Sequence, residues 1–407
     1  MESLAHSIYI QKITKDSNLL ESCIEDLSLE EQVVNSIFRD LERLNWKIKL
    51  PTKKNEYPTL TPPEYYDKQI IRESMSYKRN EIILQNKKWI ERKLDFAKKN
   101  LANGVEVLQS DIDPIIEVCI TNKQHSLFRI LRYYWSSPYS DYVGRRIKLI
   151  IRDNALPSKP VIGIAALGSP IIHIPDRDNF IGWDKNTRTK NLIYAMDAYV
   201  IGALPPYNYL LGGKLISYIL ASKEIRNIYS EKYENQITLT EKRQANKLVG
   251  LFTTSLFGNS SQYNRIKYND ESIYIPIGQT KGFGTLHLSG ETIQLMIKLL
   301  KSNGIYIGNK FGDGPSWVMR VIRNAADILN FDSDFLLRHS FKRNIYFVPL
   351  AKNYKDFLNG KTNKPDYYNY SMSELVEFWK KRWLNNRKKN QEIVDNVLSF
   401  VPEDFNL

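Results

Sequence analysis

Two apolar runs, Arg145-Arg-Ile-Lys-Leu-Ile-Ile-Arg152 and Val161-Ile-Gly-Ile-Ala-Ala-Leu167, are separated only by Asp153–Pro160, which holds Asn154, Ser158 and two prolines. Short runs rich in Ile and Val read as strands, and the Pro/Asn/Ser stretch reads as the turn that joins them. An antiparallel hairpin is predicted there. The segments beyond it alternate in type. Asp184–Tyr194 is polar and helix-like, and Ala198–Leu204 is a short apolar strand ended by Pro205-Pro206. Leu210–Tyr229 is a helix with Leu211, Leu215 and Ile219 on one face and Ile216 and Leu220 beside it. Leu248–Leu256 returns to strand, Ser260–Lys267 to a short helix and Ser272–Ile277 to strand. Strand–helix–strand–helix–strand implies an α/β core whose sheet is mixed, with some parallel pairing.

Helical regions flank this core. Residues 1–110 form a basic helical region, 111–290 the α/β core and 291–407 a mostly helical region. Leu29–Leu44 places Val33, Val34, Ile37, Phe38, Leu41 and Leu44 near the helical period, and Ser28 with Glu31 matches a capping box. Pro51–Pro63 breaks the helix and reads as a linker. Ile70–Leu101 resumes as one long helix bearing Lys87, Lys88 and Arg92 among many cations. Such a helix is either a solvated face or a run of phosphate contacts. Beyond residue 290, Glu291–Leu300 and Trp317–Leu329 are predicted helices, the latter entered through Pro315-Ser316, and Arg343–Leu350 is a strand. Ser373–Lys389 is a basic amphipathic helix carrying Phe378, Trp379, Trp383, Arg382, Arg387, Lys388 and Lys389.

Composition narrows the classes. The hydrophobic share of 42% excludes a disordered chain. No apolar run reaches the roughly 18 residues of a membrane span, and Met1-Glu-Ser-Leu-Ala-His-Ser lacks the basic start and apolar stretch of a secretory signal. Cys23 and Cys119 offer no CxxC pair or zinc spacing, so a reduced, cytoplasmic setting is expected. The net charge of +13 and pI near 9.3 draw the chain toward polyanions such as nucleic acid. The alternative is a solvated lysine-rich surface of the kind an A+T-rich genome encodes.

Between Val161 and Gly284 glycines, hydroxyl residues and cations gather at the ends of apolar runs. Gly212-Gly213-Lys214 lies in the first turn of a helix, where free N–H groups and the dipole favour an anion and Lys214 adds charge. It is not a Walker A motif, lacking the loop and the hydroxyl after lysine. The alternative is close helix packing through small residues. Ser260 and Ser261 sit in a hydroxyl-rich turn that either binds phosphate or caps a helix. Lys281 lies in Gly278-Gln-Thr-Lys-Gly-Phe-Gly284, a second candidate phosphate loop. Tyr263 projects from the predicted short helix as a candidate general acid, although most of the 25 tyrosines are expected to pack. Asp176, Asp178, Asp184 and Asp197 would need to converge to hold a catalytic cation, and turn or ion-pair roles are favoured. The histidines are scattered. No metal site is expected, and no cofactor is named by any motif.

These signatures, with Arg177-Asp-Asn-Phe-Ile-Gly-Trp183, Leu210-Leu-Gly-Gly-Lys-Leu215 and the Gly278–Gly284 loop the most specific, resemble the DruA family of Druantia anti-phage defence systems and its domain of unknown function. The resemblance is clearest over Arg145–Gly284 and continues through Arg343–Ala351 and the Trp379/Trp383 helix. It implies a role in defence alongside other Druantia components, including a large helicase-like protein, with no established chemistry. The order hairpin, strand, proline loop, glycine turn and helix, then strand, also resembles the core of the GNAT acetyltransferases. That resemblance implies a coenzyme pyrophosphate at Gly212 and an acid at Tyr263. Tyr209 stands where Gln or Arg is usual, and Lys214 replaces the second glycine. Acyl-transfer to a nucleobase or protein is therefore one alternative, and a structural subunit or transposon-associated protein another.

Overall fold

The computed structural model describes residues 27–49, 59–64, 66–137, 144–237, 242–256, 258–308 and 315–407. Cys23 and most of the Pro51–Pro63 stretch lie outside them. The chain forms two compact units that are discontinuous in sequence: one comprises Met1–Gln85, Ser136–Asp141 and Lys281–Lys342, the other Asn86–Trp135, Tyr142–Thr280 and Arg343–Leu407.

The second unit is built on a seven-stranded sheet. Its strands are β1 (Pro114–Val118), β2 (Arg146–Asp153), β3 (Val161–Gly168), β4 (Ala195–Ala203), β5 (Gly250–Thr254), β6 (Ile275–Gln279) and β7 (Asn344–Pro349). They lie in the spatial order β6-β7-β5-β4-β3-β2-β1. The predicted hairpin is the β2–β3 pair, and every residue of β3 is buried, so this strand runs through the core. All neighbours are antiparallel except β4 and β5, which pair in parallel through Ala195–Gly250, Met196–Leu251 and Asp197–Phe252. The sheet is therefore mixed, as expected.

Beyond Asp197 and Phe252 the parallel partners part. Thr253 spans the start of the opening, its hydroxyl donating to the Ala198 carbonyl at 2.8 Å. Opposite, the β3–β4 register shifts so that Ala166 faces Val200 and Leu167 faces Ala198, leaving Tyr199 as a bulge. The bulge thus falls where the strand has lost its parallel partner.

The helices of this unit include α1 (Lys87–Lys98), α2 (Pro175–Ile181), α3 (Gly212–Leu220) and α4 (Met372–Trp379). Buried Leu215, Ile216, Tyr218, Ile219 and Leu220 of α3 join Leu375 and Trp379 of α4 in one core with β2–β5.

In the other unit, the capping box at Ser28 and Glu31 forms as read and opens Leu29–Glu42, whose apolar face is buried. The Asp40 carboxylate of that helix accepts from the Ser289 N–H (2.7 Å) and the Thr292 hydroxyl (2.6 Å) at the start of Gly290–Ser302. Glu81, on Lys68–Gln85, accepts from the Gly290 N–H at 2.9 Å. Carboxylates thus meet the positive end of the helix from two sides.

Several expected elements are corrected. Ile70–Leu101 is two helices, Lys68–Gln85 and Lys87–Lys98, with Asn86 off the helical conformation between them. The Asn86 side chain does not cap the second helix; its amide oxygen accepts from Arg129 at 2.9 Å. Leu210–Tyr229 divides likewise at extended Ser222 into α3 and Lys223–Tyr233. Ser260–Lys267 is a series of turns, not a helix, ending in a tight hairpin through Asn269 and Asp270, both at positive φ. That hairpin delays the next strand to Ile275. Ser373–Lys389 contains a π-helical turn at Lys380–Leu384. The helix Asn122–Arg132, capped by Thr121 and Gln124, is an element not predicted from the sequence.

Among the described residues no helix is long and apolar enough to cross a membrane.

Candidate functional site

Strand β4 ends at Ala203, the chain turns through Pro205–Pro206, and Leu211 at φ 61° hands over to α3. Gly212 is glycine because the backbones here nearly touch: a Cβ would fall 2.7 Å from Ala203 Cβ and 2.7 Å from the Tyr207 oxygen. Its N–H donates to the Tyr207 carbonyl at 2.9 Å, and the Lys214 N–H to the Leu211 carbonyl at 2.9 Å. Two first-turn donors are thereby committed to the chain itself. At Gly213 an added Cβ would stand 3.0 Å from the Gln262 amide oxygen. Gln262 in turn donates to the Ser217 hydroxyl (3.1 Å) and toward the Ile201 carbonyl of β4 (3.4 Å), so this side chain occupies the opening beside β4.

Lys214 brings three predicted groups together. Its ammonium donates to the Ser261 carbonyl and lies 4.6 Å above the Trp383 ring. The guanidinium of Arg382 is 5.5 Å from the same ring. Lys214 is only 5 % exposed. Burial pushes its amine down to about 8, and the positive charge of Arg265 adds to the effect. Among the described residues no carboxylate is paired with Lys214, Arg265 or Arg382.

Behind this cluster lies an aromatic wall. Tyr263 stacks on Tyr274 (5.0 Å) and meets Tyr346 edge-on (5.1 Å). It is buried, and loss of solvent raises its phenol to about 12, partly offset by a hydrogen bond with Thr253. The Tyr346 hydroxyl donates to Asn264 (2.7 Å) and accepts from the Ser260 N–H (3.3 Å), while the Ser260 hydroxyl accepts from the Gln262 N–H (3.2 Å). Ser260 thus holds its own turn, and Ser261 is exposed beside it.

The C-terminal helical segment is fixed over the α3 entry. Trp379 Nε1 donates to the Leu211 carbonyl (3.3 Å), Arg387 Nε to the Tyr209 carbonyl (2.9 Å) and Lys388 Nζ to the Leu108 carbonyl (3.1 Å). Arg387 and Lys388 are anchors; Arg382 and Lys389 are exposed. Elsewhere in this unit Lys87, Lys88 and Arg92 are exposed on α1, with Lys87 loosely paired to Glu91 at 4.0 Å. Lys281 is exposed and belongs to the other unit.

The Arg177–Trp183 signature has a structural account. Arg177 is fully buried, pairs with Asp178 at 2.7 Å and donates to the carbonyls of Ile171 (2.5 Å) and Ile172 (3.0 Å). Arg188 bonds the far oxygen of Asp178 at 2.8 Å. Asp176 accepts from the Gln279 N–H (2.8 Å), Asp184 caps the next helix at Thr187 (2.7 Å), and Trp183 donates to the Leu358 carbonyl (2.7 Å). Asp197, accepting from the Ile171 N–H at 3.1 Å, has its carboxyl raised to about 7 by burial, an effect moderated by that bond and by Arg177. These aspartates have turn and ion-pair roles. Among the described residues no group of three or more His, Cys, Asp or Glu is arranged to hold a metal ion.

Arg265 was missed by sequence reasoning. The available signal was its place in the same turn region as Ser260 and Ser261, just where a cation would reinforce a phosphate contact.

No solved structure matches the chain. A protein of Escherichia coli (strain UMEA 4076-1) described as Druantia protein DruA is 35% identical over 355 residues, covering 83% of this chain and 87% of that protein. The family profile described as Druantia protein DruA matches residues 66–360. With the family profile spanning most of the chain and the relative aligned along nearly all of its own length, the chain belongs to the Druantia protein DruA family.

Proposed function

We propose that the chain is a cytoplasmic component of a Druantia anti-phage defence system that engages nucleic acid through basic surfaces and acts with other Druantia components, a helicase-like protein among them. The family supplies the system. The observation that carries nucleic-acid engagement is the placement of the charge: with +13 overall, Lys87, Lys88, Arg92, Lys381 and Arg382 stand exposed on helical segments of one compact unit, and Lys389 is exposed in the turn that follows. Such cations release counterions when they meet phosphates, so affinity must fall linearly on a log–log plot against salt. Titration of fluorescent single- and double-stranded DNA into the protein over a salt series tests this. A steep salt slope supports the reading, and binding indifferent to salt refutes it.

A second reading, an acyltransferase-like enzyme, draws support from one observation. The β2–β3 hairpin, β4, α3 and β5 follow in the order of that fold's core, and the parallel pair parts beyond Asp197 beside a bulge, freeing β4 backbone groups. Against it, Gln262 and Thr253 already serve those groups, Lys214 is turned away onto Ser261, and Tyr263 is walled in by rings. Calorimetry with acetyl-CoA decides: heat of binding that disappears in Gly212→Trp revives the enzyme reading, and silence removes it.

A further inference from the structure

Two cations from separate elements meet over one indole, and a third, Arg265, lies in the run of turns whose Ser261 carbonyl the first of them bonds. Lys214 comes from the first turn of α3, Arg382 from the π-helical turn, and Arg265 from the run of turns after Ser260. Lys214 and Arg382 both lie within 5.5 Å of the Trp383 ring centroid. Arg265 is near enough to bear on the Lys214 charge. Like charges gathered without a counter-charge repel, and a buried ammonium also forgoes hydration. A packed protein carries such a cluster at a cost that an incoming anion removes.

We propose that Lys214, Arg265 and Arg382 form a seat for a phosphodiester group of a nucleic-acid strand. This rests on the nucleic-acid reading above and gives that reading an address. Phosphate is favoured over a stacked base because the ring of Trp383 already carries two cations, which leaves the indole to orient charge. Its Nε1 is likewise engaged, at 3.4 Å from the Tyr218 hydroxyl. A polymer is favoured over a free phosphate because the outer residues are open. Arg265, Arg382 and Ser261 are exposed, Lys381 and Lys389 continue the charge along the same segment, and the first-turn donors of Gly212 and Lys214 are committed elsewhere. Arg387 and Lys388 do not belong to the seat, since their cationic groups hold main-chain carbonyls.

The test is fluorescence anisotropy of the full chain with labelled single- and double-stranded DNA over a salt series. It compares the wild type with Arg265→Gln/Arg382→Gln and with Lys185→Gln/Lys190→Gln, which removes the same charge from exposed positions on another helix. The seat predicts about a tenfold loss of affinity and a salt slope shallower by about one for the first pair, with little change for the second. Equal effects of the two pairs, or none from the first, overturn the seat while leaving nucleic-acid binding in place. Wild-type protein that binds neither DNA overturns both. Displacement of bound DNA by inorganic phosphate at matched ionic strength overturns the assignment to a strand. Melting temperature guards the comparison: among the described residues neither the Arg265 nor the Arg382 side chain makes a hydrogen bond or ion pair, and their removal relieves repulsion, so the variant should melt no lower than the wild type.

Discussion

Replacing Arg177 by Met would keep most of the stem that fills its buried site and delete the guanidinium. Four donations are lost: two to Asp178 Oδ1 (2.9 and 2.7 Å) and one each to the carbonyls of Ile171 and Ile172. Removing one member of a buried ion pair generally costs about 3–5 kcal/mol, because the partner's charge stays behind. Here Arg188 still holds the other Asp178 oxygen at 2.8 Å, which places the expectation at the lower end, about 3 kcal/mol. For a compact body of this size that is a fall in melting temperature of roughly 6–12 °C. Urea titration followed by tryptophan fluorescence reads the same loss. The pH dependence adds a signature. Arg177 helps keep Asp197 ionised, and its removal drives that already raised carboxyl higher. A carboxyl raised in the folded state retains a proton that the unfolded chain releases, so stability falls as pH rises from about 4 toward and beyond 7. The Arg177→Met deficit should therefore be larger at pH 8 than at pH 5. A loss under about 1 kcal/mol, or an Asp178→Asn effect that adds fully to it, would refute the buried network as the reason for this signature.

Three other perturbations test the same geometry. Gly212→Ala puts a methyl 2.7 Å from Ala203 and Tyr207, and overpacking of about 1–3 kcal/mol should exceed the roughly 1 kcal/mol of helix propensity gained; a thermal melt no lower than wild type contradicts this. The Lys214 amine at about 8 binds fewer protons folded than unfolded up to its ordinary 10.5, so stability should rise with pH across that window and Lys214→Met should lack the rise. His287 is buried, with its pKa near 3 from loss of solvent and the Lys78 charge, so the folded state stays neutral where the unfolded chain protonates. Stability of its unit should fall as pH drops below about 6.5, and a His287→Gln variant with the same acid profile would contradict that origin.

Local order was legible wherever a segment decides its own conformation. The Ser28–Glu31 box and the β2–β3 hairpin each depend on residues within a few positions of one another. The breaks at Asn86 and Ser222 were not legible, since neither side chain caps the helix that follows it. The two discontinuous units could not be read linearly either. Asp40 meeting the N–H of Ser289 is a contact between distant segments that no local pattern announces. At the candidate site, the structure brings Lys214, Ser261 and Arg382 near one another, while packing and hydrogen bonding decide which of the basic side chains stay exposed. Arg387 looked as free as Arg382 in sequence, yet one bonds the Tyr209 carbonyl and the other faces solvent.

The glycine–lysine block illustrates this most sharply. Its glycines answer to packing: Gly212 admits Ala203 and Tyr207, and Gly213 admits Gln262. Lysine answers to neither demand. A site this buried is filled more stably by methionine or leucine, because the ammonium loses hydration and gains only one carbonyl and one ring face. The two further cations beside it deepen the cost. Residues chosen for stability alone would not converge in this way, whereas residues that must take up negative charge would. The Lys214→Met variant therefore separates the two demands in a single protein. It should be at least as stable as the wild type near neutral pH and bind DNA less tightly. A variant less stable but equally tight would return the whole block to packing.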